Sequence, residues 1–399
     1  MTKLQFPAGF EWSTATAAHQ IEGGNTNNDW WAWEHAQGTP VAEPSGDACD
    51  SWLRWTDDVQ LIRDLGVGNY RFSVEWSRLE PAPNEWSQAA CDHYVRQCEA
   101  LIAAGVRPTI TLHHFTTPRW ATDTGGWTDP DIVGRFADFA HRTAERLAPY
   151  VSRFCTLNEP NVVAAMGYLM GLFPPGVTDD RRAHDSAVAN MVAAHRAAVD
   201  AVRAAAPASD VGLTLNMADY QSASGGEAHA AEAEAMEDVF LDATIGDDFI
   251  GVQVYTRMVM GPSGWMGPQP GVPVVETMGY EYWPQALGAC LRRTWARTGG
   301  HTPLLVTENG TAADADDERI RFVYSALRSV LACLTDGIDV RGYTYWSLLD
   351  NFEWAFGYRP RFGLVGVDRH TFRRTPKSAY HWLAQVIGDN GIPDELAFG

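Results

Sequence analysis

Short apolar runs recur along the chain, and each is followed by a longer stretch in which apolar residues return every third or fourth position. The short runs predict strands at Phe10–Ala17, Asn69–Val74, Arg107–Leu112, Arg153–Leu157, Val211–Leu215, Phe249–Val254, Leu304–Thr307 and Gly342–Ser347. The longer stretches predict helices at Ser51–Leu65, Ser87–Ala104, Asp131–Leu147, His184–Ala206, Ala228–Phe240, Pro284–Thr298, Asp316–Leu334 and Lys377–Ile387. Trp52, Trp55, Val59, Ile62 and Leu65 show the spacing that places apolar side chains on one helix face. Eight such pairs predict an α/β fold, a single (β/α)8 TIM barrel, with an open doubly wound sheet as the alternative. No glycine-rich phosphate loop follows the first strand, which counts against the alternative. No linker or shift in composition divides the chain, so residues 1–399 are read as one catalytic barrel domain.

Composition narrows the function. Of 399 residues, 45% are hydrophobic and 20% charged, which suits a globular chain with a sizeable core and excludes disordered and membrane-spanning classes. Thirty Lys and Arg against fifty Asp and Glu leave a net charge of −20, which repels phosphate backbones and anionic lipid. Neither nucleic acid nor a membrane is an expected partner. Sixteen tryptophans are more than a core requires if some of their flat faces stack on sugar rings. The six cysteines show no CxxC spacing, and no His/Asp/Glu cluster has ligand spacing, so neither a metal nor a disulfide framework is expected. The start, MTKLQFPAGFEW, lacks a charged and then apolar leader, and a cytoplasmic location is expected.

In a barrel of this type, catalytic groups stand at the C-terminal ends of strands. The fourth predicted strand runs out through Thr156, Leu157, Asn158, Glu159 and Pro160, and the seventh through Thr307, Glu308, Asn309 and Gly310. Either glutamate alone reads equally well as a strand-end carboxylate satisfied by a neighbouring loop. Together, on strands set across the barrel from each other, they match the two carboxyl groups that glycosidic cleavage requires.

TLNEP at Thr156 to Pro160 and TENG at Thr307 to Gly310 resemble the two catalytic signatures of glycoside hydrolase family 1. FPAGFEWSTATAAHQIEG from Phe6, YRFSVEWSR from Tyr70, TLHHFTTP from Thr111 and YWSLLDNFEWAFGYRPRFGLVGVD from Tyr345 are similar to further stretches of that family. The resemblance extends from Phe6 to about Trp382. It implies a cofactor-free retaining β-glycosidase in which Glu308 is the nucleophile and Glu159 the general acid/base. It also implies that Gln20, His114, Glu353 and Trp354 hold the hydroxyls of the nonreducing sugar over a stacking floor at Trp346. Asn158 matches the amide that bonds the 2-hydroxyl, and Tyr255 the phenol beside the nucleophile. Elementary electrostatics agrees with these roles. Arg71 on the second strand favours an ionised Glu308, and that charge in turn holds the proton on Glu159.

Several positions depart from the family pattern. Ser13 replaces a glycine, Phe115 a tryptophan, and Gln253-Val254 an Asn-Tyr pair before Tyr255; Asn161 and Tyr280 stand where tryptophan is common. The expectation is a rearranged hydrogen-bond set around Tyr255 and the sugar, together with an aglycone side lacking its main stacking platform. The expected substrates are nonreducing-end β-D-glucosides, with β-galactosides and β-fucosides as further candidates. The alternatives are a 6-phospho-β-glycosidase and a non-catalytic sugar-binding protein. Phosphate-specific members carry serine, lysine and tyrosine where this chain has Glu353, Pro360 and Phe362, and the presence of both glutamates counts against a non-catalytic protein.

Overall fold

The eight apolar runs are buried on both faces, so each strand must find hydrogen-bonding neighbours on both edges. A computed structural model, which describes residues 3–396, shows how this is met. The strands are β1 (Glu11–Ala15), β2 (Asn69–Ser73), β3 (Arg107–His113), β4 (Arg153–Asn158), β5 (Asp210–Ser222), β6 (Phe249–Gly261), β7 (Leu304–Asn309) and β8 (Val340–Trp346). Each pairs in parallel with the next, and β8 pairs with β1, which closes the ring. This is the predicted (β/α)8 barrel.

The crossover helices are α1 (Ser51–Leu65), α2 (Gln88–Ala103), α3 (Ile132–Leu147), α4 (Arg181–Ala205), α5 (Glu227–Ala243), α6 (Ala286–Arg297), α7 (Asp316–Thr335) and α8 (Ser378–Asp389). Their apolar faces cover the ring: Ile62 and Leu65 of α1, Phe136 and Phe139 of α3 and Leu327 and Val330 of α7 are all buried. Asp58 shares the buried face of α1, where Arg374 neutralises it at 2.9 Å.

Three features depart from the predicted elements. β5 and β6 continue to Ser222 and Gly261, well beyond the predicted Leu215 and Val254, and pair with each other through Ser222 and Met260. The polar run Ala218 to Ser222 reads locally as a loop, whereas cross-strand pairing makes it a ribbon that rises above the barrel mouth. A helix at Pro160–Tyr168 leaves the end of β4 directly, where no element is predicted. β4 and β7 are three places apart in the ring, with β5 and β6 between them, rather than face to face.

Trp30 and Trp76 are core residues, whereas Trp346 and Trp354 line a cavity at the mouth. All six cysteines are free and buried. Among the described residues no helix is long and apolar enough to cross a membrane, and no group of His, Cys, Asp or Glu is arranged to hold a metal ion.

Candidate active site

β4 ends at Asn158, and the chain then turns sharply into the helix that starts at Pro160. Glu159 makes that turn with φ 46° and ψ 54°, a left-handed conformation that is costly for a side-chain-bearing residue and more so before proline. Its amide donates to Thr214 O at 2.8 Å, and the amide of Val162 donates to its carbonyl at 2.9 Å. Phe115 and Trp354 also have positive φ, so three of the nine described non-glycine residues in this region of backbone space line one cavity. Strain of this kind, about 1–3 kcal/mol per residue, persists where surrounding structure over-determines the backbone, commonly at functional sites.

Glu308 lies on β7, and its carboxylate is held at both oxygens. Arg71 Nη1 donates to Oε1 at 2.7 Å, and the Tyr255 hydroxyl donates to Oε2 at 2.6 Å. The rest of the Arg71 guanidinium is engaged by Asn158 Oδ1 at 2.5 Å and Thr111 Oγ1 at 3.0 Å. Gly310, the last residue of TENG, has a structural reason: a Cβ there would lie 2.1 Å from the carbonyl oxygen of Trp346.

Glu159 has quite different neighbours. Its Oε1 accepts from the amides of Gln253 at 2.7 Å and Asn216 at 3.0 Å, which leaves Oε2 for a proton. Gln253 is anchored in turn by the Thr307 hydroxyl at 3.2 Å. The two strands between β4 and β7 therefore supply the groups that surround both carboxyls: Asn216 from β5, Gln253 and Tyr255 from β6.

These surroundings separate the acidities. Burial raises Glu308, while the Arg71 charge and the hydrogen bonds from Tyr255, Arg71 and Gln253 pull it back. Burial and then the charge on Glu308 push Glu159 up to about 8, against weaker opposing effects from Asn216, Arg71 and Gln253. Glu308 consequently ionises first, and its charge keeps the proton on Glu159. Glu353 is likewise pushed up to about 8, by burial and by Glu308.

One pH prediction follows from the direction of these shifts. With an aryl β-glucoside, kcat/KM should decline above a pH of about 8, as Glu159 loses the proton needed at the leaving oxygen. The alkaline limb should vanish in Glu159→Gln and survive in Glu353→Gln. Survival in Glu159→Gln would transfer the limb to another group.

Around the carboxyls stands a set of polar atoms without protein partners. His114 Nδ1, Glu353 Oε2 and Gln20 Oε1 are buried and unpaired. His114 Nε2 lies 3.3 Å from the Asn158 amide nitrogen, and burial with the nearby Arg71 charge holds the ring well below its usual pKa, hence neutral. Its ring is nearly parallel to Trp346 (5.7 Å, 14°) and Trp354 (6.2 Å, 12°). Trp354 rests on His19 at 5.6 Å and 8°. His114, Trp346 and Trp354 form part of the wall of an open cavity of about 2120 Å³, a volume that includes solvent space at its mouth.

The ten residues singled out from the sequence converge here. His114, Asn158, Glu159, Tyr255, Glu308, Trp346, Glu353 and Trp354 line the cavity. Arg71 is buried beneath it, and Gln20 behind it, with Nε2 donating to Phe352 O at 2.8 Å. Sequence reasoning missed Asn216, although it directly follows the fifth predicted strand. It noticed Gln253 but associated it with Tyr255 and the sugar, whereas the side chain bonds Glu159.

Comparison with known proteins agrees with this architecture. The sequence profile described as Glycosyl hydrolase family 1 matches residues 2–261 and 268–392. The chain is 30% identical to beta-glucosidase A of Thermotoga maritima, with 99% of this chain and 100% of the relative covered. It is 32% identical to a bifunctional beta-D-glucosidase/beta-D-fucosidase of Bifidobacterium breve, with 96% and 98% covered. The crystal structure of beta-glycosidase BGL167 superposes with a TM-score of 0.90 at 41% identity, covering 99% of both chains. With its barrel, its paired glutamates and this match along nearly its whole length, the chain belongs to glycosyl hydrolase family 1 and is an O-glycoside hydrolase.

Proposed function

We propose that the protein hydrolyses β-D-glucosides from the nonreducing end with retention of configuration, Glu308 acting as nucleophile and Glu159 as acid/base. The observation that carries this reading is the unequal setting of the two carboxyls, one paired with Arg71 and the other held by neutral amides. In the first step the Glu308 carboxylate attacks the anomeric carbon, the bond to the leaving oxygen breaks, and that oxygen takes the Glu159 proton. Esterification removes the Glu308 charge that raised Glu159. Glu159, now the stronger acid, is left as a carboxylate that draws a proton from water while the water oxygen attacks the anomeric carbon and releases Glu308. The chemistry balances without a metal or cofactor. An early NMR time course should show the β-sugar as the first product; the α-anomer appearing first would overturn the reading.

Hydrogen-bonding capacity supports glucose and its close relatives as the sugar. A protonated Glu353 both donates and accepts, so it serves an equatorial or an axial 4-hydroxyl, which favours some β-galactosidase activity. β-Fucosides, which lack the 6-hydroxyl, leave one contact unmade. The B. breve relative, named for both glucosidase and fucosidase activity, supports including them.

The 6-phospho-β-glycosidase reading finds no cation to support it. No Lys or Arg lines the described cavity, Phe362 is an apolar part of its wall, and Glu353 adds repulsion whenever it ionises. An unpaired dianion in a buried site costs about 3 kcal/mol or more. The expected result is a kcat/KM for p-nitrophenyl β-glucoside about 100-fold or more above that for its 6-phosphate. A higher value for the phosphate would promote the phospho-specific reading. The same reading takes the chain as one catalytic domain working in the cytoplasm. The antiparallel pairing of Lys3–Gln5 with Gly391–Pro393 and the six unpaired buried thiols support it.

A further inference from the structure

Four aromatic rings stand nearly parallel in series beside the sugar cavity. Trp346, His114 and Trp354 belong to its wall, and the fourth, His19, lies behind Trp354 at 5.6 Å and 8°. Trp354 needs such support. Its φ is 51°, and it opens a single short turn, Trp354–Phe356, so the indole is held by tertiary contacts rather than by local backbone preference. Trp30 at 4.5 Å and Phe115 at 4.9 Å also touch it, but apolar burial is non-directional and tolerates sliding.

His19 differs from those rings in being tethered at both nitrogens. Asn28 caps the helix Asp29–Glu34, its Oδ1 accepting from the Trp31 amide at 2.8 Å. The cap fixes which way the side-chain amide points, so Nδ2 faces His19 Nδ1 at 3.1 Å. An N–H donor there requires a lone pair on Nδ1, which places the imidazole proton on Nε2. Nε2 in turn faces Glu34 Oε2 at 3.5 Å, and Glu34 Oε1 accepts from the Ser45 hydroxyl at 2.6 Å. The side chains of His19 and Glu34 are both wholly buried. Turning the imidazole over would leave a buried donor and a buried acceptor unmatched. Hydrogen bonds therefore set the plane on which Trp354 rests.

We propose that His19 is a positioning residue: locked by Asn28 and Glu34, it fixes the indole of Trp354 and so sharpens the choice between sugars that differ at the hydroxyls met by Glu353 and Trp354. This rests on the reading of the cavity as a β-glucoside site given above. His19 touches neither sugar nor catalytic carboxyl. Its segment is already joined to the clamp through Gln20, whose Nε2 donates to Phe352 O at 2.8 Å and whose carbonyl accepts from the Phe352 amide at 3.2 Å. His19 extends that link to the indole, and because Trp354 directly follows Glu353, an indole free to shift loosens both clamp residues. The tether acts before substrate arrives, by narrowing the positions open to the clamp.

The test measures kcat/KM for p-nitrophenyl β-glucoside and p-nitrophenyl β-galactoside side by side, because their ratio does not depend on how much of a preparation is folded. Inhibition constants for glucose and galactose supply the same ratio without turnover. His19→Phe keeps a flat ring against Trp354 and removes both hydrogen bonds. The expected result is a glucoside kcat/KM lowered about ten-fold, mainly through KM, with the galactoside lowered less, so that the ratio shrinks about three-fold or more. Asn28→Asp retains the helix cap but turns an oxygen toward Nδ1. It should shift the ratio in the same direction, whether or not His19→Phe folds. In a Trp354→Phe background, His19→Phe should change neither value further, since its effect runs through the indole. Both sugars losing the same factor, or losses that add fully to those of Trp354→Phe, would overturn the proposal and leave the glycosidase reading intact. Absence of turnover of either glycoside by the wild type would overturn both.

Discussion

Glu308→Gln is expected to lower kcat on p-nitrophenyl β-glucoside by about 10⁴-fold or more, because the variant has no carboxylate to form the glycosyl ester. The replaced group is nearly isosteric, so the loss will report chemistry rather than shape. The substitution also removes the counter-ion of Arg71, whose guanidinium is buried within the barrel. Breaking a buried ion pair from one side costs up to about 3–5 kcal/mol, and the remaining amide oxygen, which still accepts a hydrogen bond, reduces that figure. A lower melting temperature should therefore accompany the lost activity. On the wild-type enzyme, a 2-deoxy-2-fluoro glucoside with a good leaving group should add one sugar to a peptide containing Glu308. Labelling on another residue, or a Gln variant with near-normal turnover, would reassign the nucleophile.

Glu159→Ala should separate substrates by their leaving groups. Proton donation accounts for about 10²–10⁴-fold of rate when the departing oxygen is strongly basic and for little when it is already a stable anion. Alkyl glucosides and cellobiose should lose that factor, whereas an activated dinitrophenyl glucoside should lose little in its first step. Azide, a nucleophile that needs no general base, should restore turnover and give the β-glycosyl azide. The variant leaves Asn216 and Gln253 without the carboxyl oxygen they both address, and the space opened beside them admits the anion. Equal losses on every leaving group, with no response to azide, would remove Glu159 from the acid/base role.

Much of this was legible in the residues before any coordinates. The eight strands are short apolar runs because both of their faces are covered, and the helices show the spacing of a single buried face. Local pattern carries that information, so the barrel followed from it. The motifs around Glu159 and Glu308 placed two carboxyls at strand ends, and the resemblance to a known family supplied candidate partners from Gln20 to Trp354. Tertiary structure decided what distinguishes the carboxyls. Arg71 is 237 positions from Glu308, and Gln253 is 94 from Glu159, so no local pattern reports either contact. The fold put β5 and β6 between the two glutamates, and burial, the Glu308 charge and the placing of Arg71 and Tyr255 beside Glu308 set which carboxyl keeps its proton. The polar run at Ala218 to Ser222 looked like a loop because strand formation there depends on a partner, not on its own composition. The lining of the cavity lay equally out of reach of the sequence, because it comes from many separate elements and a side chain's own identity does not say whether it faces packed core or empty space.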